Sequence, residues 1–220
     1  MKQALHTRQE QLAAWCTPAR QGLLGLGLAL ALLTPFARHA LEASMWRHMV
    51  LQFALLLACG ALLAPALPPR VQRAIQAFNA HGIAGLVWAS AVLAVLMIPR
   101  VLDLALYRAD VEAAKCAALL LAGVALRLSW RTAGLAIQGF FLINLVMMMV
   151  VVGQLYIDSP LRLCNAYLLD DQQRLGQWLI GLASALAVLW LTQAGWQLIQ
   201  RDPTTASPTT PPERQANPHS

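Results

Sequence analysis

Polar residues fall in short intervals along this chain, and between them lie apolar runs that show no face-by-face periodicity. A hydrocarbon core about 30 Å thick takes roughly 20 residues of helix, because every buried amide must find its hydrogen bond within its own segment. Six stretches qualify: residues 22–37, 48–67, 83–106, 113–130, 133–155 and 177–198. The third holds Pro99, and the fourth is short and carries Arg127. The pattern predicts an all-α, polytopic membrane bundle of about six transmembrane helices over residues 22–200. No small-x-small cleavage site follows the first stretch, which therefore reads as an anchor and not a leader. After Arg201 the chain becomes rich in Pro, Thr and Ser, which predicts a disordered tail over residues 201–220.

Composition agrees with a bilayer environment: 58% of the residues are hydrophobic, 12% are charged, and the mean hydropathy is +0.55. The net charge of +6 is spread over the flanks of the apolar runs. Six spans with a cytoplasmic N-terminal segment, residues 1–21, place Lys2, Arg8, Arg20, Arg70 and Arg73 inside. They place Glu42, Asp103, Asp110, Glu112, Asp158, Asp170 and Asp171 outside. Both termini are then cytoplasmic and the chain is multi-pass in a plasma (inner) membrane. No basic stripe with interleaved aromatics is present, so a nucleic-acid partner has no support. GxSxG, Walker A and HExxH patterns are absent as well, which argues against an enzyme.

With six spans, four polar segments converge on the outer side: Ser44 to Met49, Ile98 to Asp103, Ala109 to Glu112, and Cys164 to Gln173. Met45, His48 and Met49 stand at i, i+3 and i+4, so one helical face offers two thioethers and an imidazole. Soft sulfur with imidazole suits Cu(I), while an interfacial hydrogen bond to His48 and packing by the methionines accounts for the same residues. Arg100 and Asp103, at i and i+3, are spaced to pair. Asp170 and Asp171 precede the last apolar run, where carboxylates favourably meet a helix N-terminus; direct contact with a ligand or partner is the other reading. Cys116 and Cys164 share a side, and a disulfide, sulfur ligands or plain buried thiols all fit them. Met147 to Met149 point around a helix and read as packing or lipid contact.

These segments resemble, in order and content, the CtaG-like cytochrome c oxidase assembly factors. "SMWRH" matches the family's histidine- and methionine-bearing second helix through Met45 and His48, with Ser44 in place of its first histidine. Pro99 matches a proline-bearing helix, Glu112 and Ala113 stand where the family has Glu-His, and Asp171, Gln172, Gln173 and Gly176 keep its late Asp-Gln-Gln-x-x-Gly pattern. The resemblance runs from Ser44 to Leu198 and implies a membrane-embedded factor in oxidase biogenesis that delivers or inserts copper. Its implied partners are the lipid bilayer, oxidase subunits and a copper chaperone. Met45, His48 and Met49 are then the copper candidates, and Arg100, Asp103, Glu112, Asp170, Asp171 and Gln172 form the accompanying polar cluster. The alternative is a structural or transport subunit in which that cluster lines a cavity for a small solute.

Overall fold

The structure, a computed structural model, describes residues 17–164 and 166–201, all of them helix or connecting turn. Most of the expected N-terminal cytoplasmic segment and the tail after Arg201 lie outside the described residues.

Proline sets four of the α-helix starts, at Pro18, Pro35, Pro69 and Pro99. α1 (Pro18–Leu32) and α2 (Pro35–Glu42) each open with Pro in the first turn, where the missing N–H costs nothing. The Thr34 hydroxyl caps α2 by accepting from Ala37 N, and the two helices meet at a 70° bend. A π-helical turn, Arg47–Gln52, runs into α3 (Phe53–Leu63) and ends in a 3-10 turn at Ala64–Ala66. α4 (Pro69–Phe78) buries none of its residues, and at 89° to it α5 (Ile83–Leu96) turns into the bundle. Gly82 makes that corner at φ +73°, the left-handed region where a side chain would be strained. α6 (Pro99–Tyr107), α7 (Ala109–Trp130), α8 (Leu135–Asp158) and α9 (Leu169–Arg201) complete the order.

Each predicted apolar stretch is largely helical, but the first, residues 22–37, breaks at the 70° bend between α1 and α2, and the third is not one rod either. Pro99 forces Ile98 into an extended conformation, so residues 83–106 divide into α5 and α6. The expectation of six spans is likewise not met in full. Among the described residues three helices are long and apolar enough to cross a membrane: Arg47–Ala66, Leu135–Asp158 and Leu169–Gln200. The number rises to five if each bent pair is one span. α7, which carries Asp110, Glu112, Lys115 and Arg127, is not one of the three.

α7 nevertheless packs against α3, α5 and α6. It meets α3 at a crossing where Gly60 faces Leu120 and Gly123 faces Leu57, each glycine lying directly against the other helix's backbone. α8 and α9 form an antiparallel pair that closes over Gly153 and Gly176. Leu56, Leu119, Leu175 and Leu179 fill the space among α3, α7 and α9. Trp46 stacks on Trp178 with centroids 5.4 Å apart, tying the π turn to α9.

Candidate functional site

The π turn starts the site. Its i→i+5 winding is less favourable than α and recurs where function displaces packing. Here it keeps His48, Met49 and Gln52 all turned inward. Met45, just before it, and His48 are both fully buried, at 0% exposure.

Across from this turn stands Lys115 of α7, 3% exposed. Its ammonium lies 2.7 Å from His48 Nε2 and donates to Gln52 Oε1 at 3.0 Å. On its third side it sits 2.6 Å from Glu112 Oε2. That last contact is ionic: Oε2 has charge compensation but no well-aligned hydrogen-bond donor. All three Lys115 protons thus have an electronegative neighbour, the condition on which a charge in an apolar interior is tolerated.

The direction of the hydrogen bonds sets the histidine tautomer. The Tyr167 hydroxyl donates to the Glu42 carbonyl at 2.9 Å, so at His48 it must accept, and Nδ1 carries the hydrogen across 2.9 Å. Nε2 is then the lone pair that receives Lys115. On the far side of Lys115, the Cys116 thiol donates to Glu112 Oε1 at 3.3 Å. Arg38 Nε is 3.7 Å from the same oxygen and 3.3 Å from Glu42 Oε1. One connected network therefore joins α2, the π turn, α7 and the loop before α9.

α9 adds the next layer. Asp170 and Asp171 occupy its first turn, where the helix dipole favours negative charge. Asp171 also accepts the Ser44 hydroxyl at 3.1 Å, across 127 residues of sequence. Gln172, buried, accepts from Leu163 N at 2.8 Å and donates to the carbonyls of Tyr156 and Leu161, at 3.2 and 3.3 Å. It fastens the loop that presents Tyr167. Burial, with the charges of Glu42 and other acids nearby, pushes the Tyr167 phenol well above its ordinary range. In the same loop burial and then Asp103 push the Cys164 thiol up to about 12.

The structure links His48 and Glu112 through Lys115, ties Asp171 to Ser44 and buries Gln172 under the loop before α9, with Met45 and Met49 buried as well. Asp170 points to the exposed side and Arg100 is exposed, outside the network. Cys116 and Cys164 are free buried thiols bonded to Glu112 and to the Pro99 carbonyl respectively. Of the three consecutive methionines, Met147 faces outward and Met149 is buried. Sequence reasoning missed Gln52, Lys115 and Tyr167. Lys115, one turn after Glu112 in an otherwise apolar stretch, carried a readable signal, and so did Gln52, one turn after His48. Tyr167 carried none.

For a metal, the decisive atoms are the two ring nitrogens of His48. Both are engaged, so the donor set as folded does not fit an ion at this imidazole. Among the described residues no group of three or more His, Cys, Asp or Glu is placed to hold a metal.

Comparison with protein-family models, with curated proteins and with solved structures finds no match to this chain.

Proposed function

We propose that the chain is a non-enzymatic assembly factor for cytochrome c oxidase, embedded in the plasma membrane with both ends on the cytoplasmic side. In this reading its working part is the buried polar network, which faces the outer surface and meets an oxidase subunit or copper chaperone. One observation carries it: three of the segments on which the family resemblance rests lie far apart in sequence, yet polar contacts tie the other two to the segment from Ser44 to His48. Ser44 bonds Asp171, His48 bonds Lys115, and Lys115 pairs with Glu112. Charged groups held in an apolar bundle are costly even when paired, so their presence favours a functional reading. Copper enters as cargo, and its capture at His48 requires Lys115 to release Nε2.

The test is a strain lacking this protein, grown at limiting copper and complemented with the wild-type chain or with Met45→Ala/His48→Ala. Oxidase activity is normalised to the membrane level of the protein. Loss of activity without the protein is expected, and in the double variant a loss of activity larger than its fall in abundance. Full oxidase assembly in the deletion strain overturns the reading. Metal content after Cu(I) exposure, compared with His48→Ala, reports separately on the cargo.

A further inference from the structure

Of the three long apolar helices, α8 is the one the fold leaves most bare: only 11% of its most apolar stretch is buried within the molecule. Its inner side is taken by α9 and, more lightly, by α5. Along its exposed side stand Phe140, Asn144, Met147, Val151, Gln154 and Asp158. The intervals alternate between four residues and three, which is the repeat of a coiled-coil seam. Asn144, Val151 and Asp158 take one of its two core positions, and Phe140, Met147 and Gln154 take the other. Phe140, Met147 and Val151 are 63%, 56% and 61% exposed.

Apolar side chains facing lipid need no partner. Asn144 does. It lies near the middle of the 24-residue helix, exposed, with its amide nitrogen donating to the Phe140 carbonyl at 2.8 Å. Within the described residues its carbonyl oxygen accepts no hydrogen bond. Hydrocarbon offers that oxygen nothing, whereas an amide from a second helix satisfies it. Beside it a groove of about 250 Å³ runs between α5 and α8, lined by Ser90, Ala94, Asn144, Leu145 and Met148. This gives the knob of a second helix a hole to enter.

The occupant follows from topology. Copies of one chain insert with the same orientation, so their α8 helices run parallel, and a two-fold axis along the membrane normal sets each seam residue against itself. A carboxamide both donates and accepts, so Asn144 is its own complement at this position. A single Asn at this seam position, with β-branched Val151 one heptad later, favours two parallel strands. Asp158 meets the partner's Asp158 only at the exposed end of the helix, where water screens the charge. Each carboxylate there already accepts from Gln154, at 2.9 and 3.0 Å.

We propose that α8 is a self-association seam: two copies of the chain pair in parallel along it, with Asn144 hydrogen-bonded to the partner's Asn144. This is independent of the role in oxidase biogenesis.

The test uses the full chain in its own membrane. Val151→Cys is oxidised in parallel with Leu189→Cys, an outward residue of α9 that is 65% exposed, and the unsubstituted chain reports the background from its own cysteines. A disulfide-linked dimer at position 151, at least fivefold above position 189, is expected. Combining Val151→Cys with Asn144→Leu should lower the cross-linked fraction severalfold at unchanged abundance, and Asn144→Gln should retain part of it. Equal cross-linking at 151 and 189, or a fraction indifferent to Asn144→Leu, overturns the proposal. So does capture at 151 of a different membrane protein in place of a second copy.

Discussion

Lys115 is the residue on which the polar network turns. Lys115→Met would leave Glu112 buried with only Arg38, at 3.7 Å, to offset its charge, and breaking such a pair costs about 3–5 kcal/mol. The expected result is a clear loss of thermal stability in detergent and of membrane abundance. Adding Glu112→Gln should recover a large part of both, because the double change leaves no unpaired ion. Tyr167→Phe is milder: it strands the Nδ1 hydrogen of His48 and should cost about 1–3 kcal/mol in the same measurement. Cys164 gives a pH signature. Its thiol pKa is raised by folding, so its contribution to stability is full below 9.0, the ordinary value, and is lost as pH rises towards about 12. Maleimide at neutral pH should leave it unlabelled until the protein is denatured. At this scale the sequence exposed part of the site. His48, Glu112 and Asp171 stand out as polar groups beside apolar runs, so their types and positions were enough. Tyr167 enters through the path of a loop, and no local pattern encodes where a loop returns.

Among the elements, the α3–α7 crossing makes the sharpest demand. A Cβ on Gly123 would strike the Leu57 carbonyl, and one on Gly60 the Leu120 carbonyl, so backbone and not a flexible side chain would have to move. Gly123→Val should therefore part the helices and lower abundance, while Gly27→Val, whose Cβ meets nothing within 4 Å, should be tolerated. Comparing membrane levels of the two variants checks this. Helix content and order were legible because apolar runs of this length admit little else in a bilayer. Pro99 was visible too, yet its effect was not: whether a proline kinks a helix or ends it depends on what can satisfy the freed groups nearby. The π turn left no trace in the pattern, since it shifts the phase of side chains without changing their type.

For the whole molecule, α8 and α9 as candidate spans set a relation that does not depend on the charges of the flanks. Crossings by both helices would place the α7–α8 turn and the end of α9 on one side of the membrane, and the connection between α8 and α9 on the other. Reporter fusions after Thr132 and after Arg201 should therefore agree in sign, and a fusion after Pro160 should oppose them. With the expected orientation the first two are cytoplasmic. Opposite signs at 132 and 201 would remove one of the crossings. The lengths of these two helices also differ in what they do to the bilayer. α8, at 24 residues, is about 36 Å long and nearly matches a hydrocarbon core of about 30 Å, whereas α9, at 33 residues, reaches about 50 Å. α8 is the gauge that sets depth, and α9 is a post with length to spare. A crossing of that length would leave the polar first turn of α9 clear of the lipid tails, and would put the Ser44–Asp171 contact near water and not in hydrocarbon.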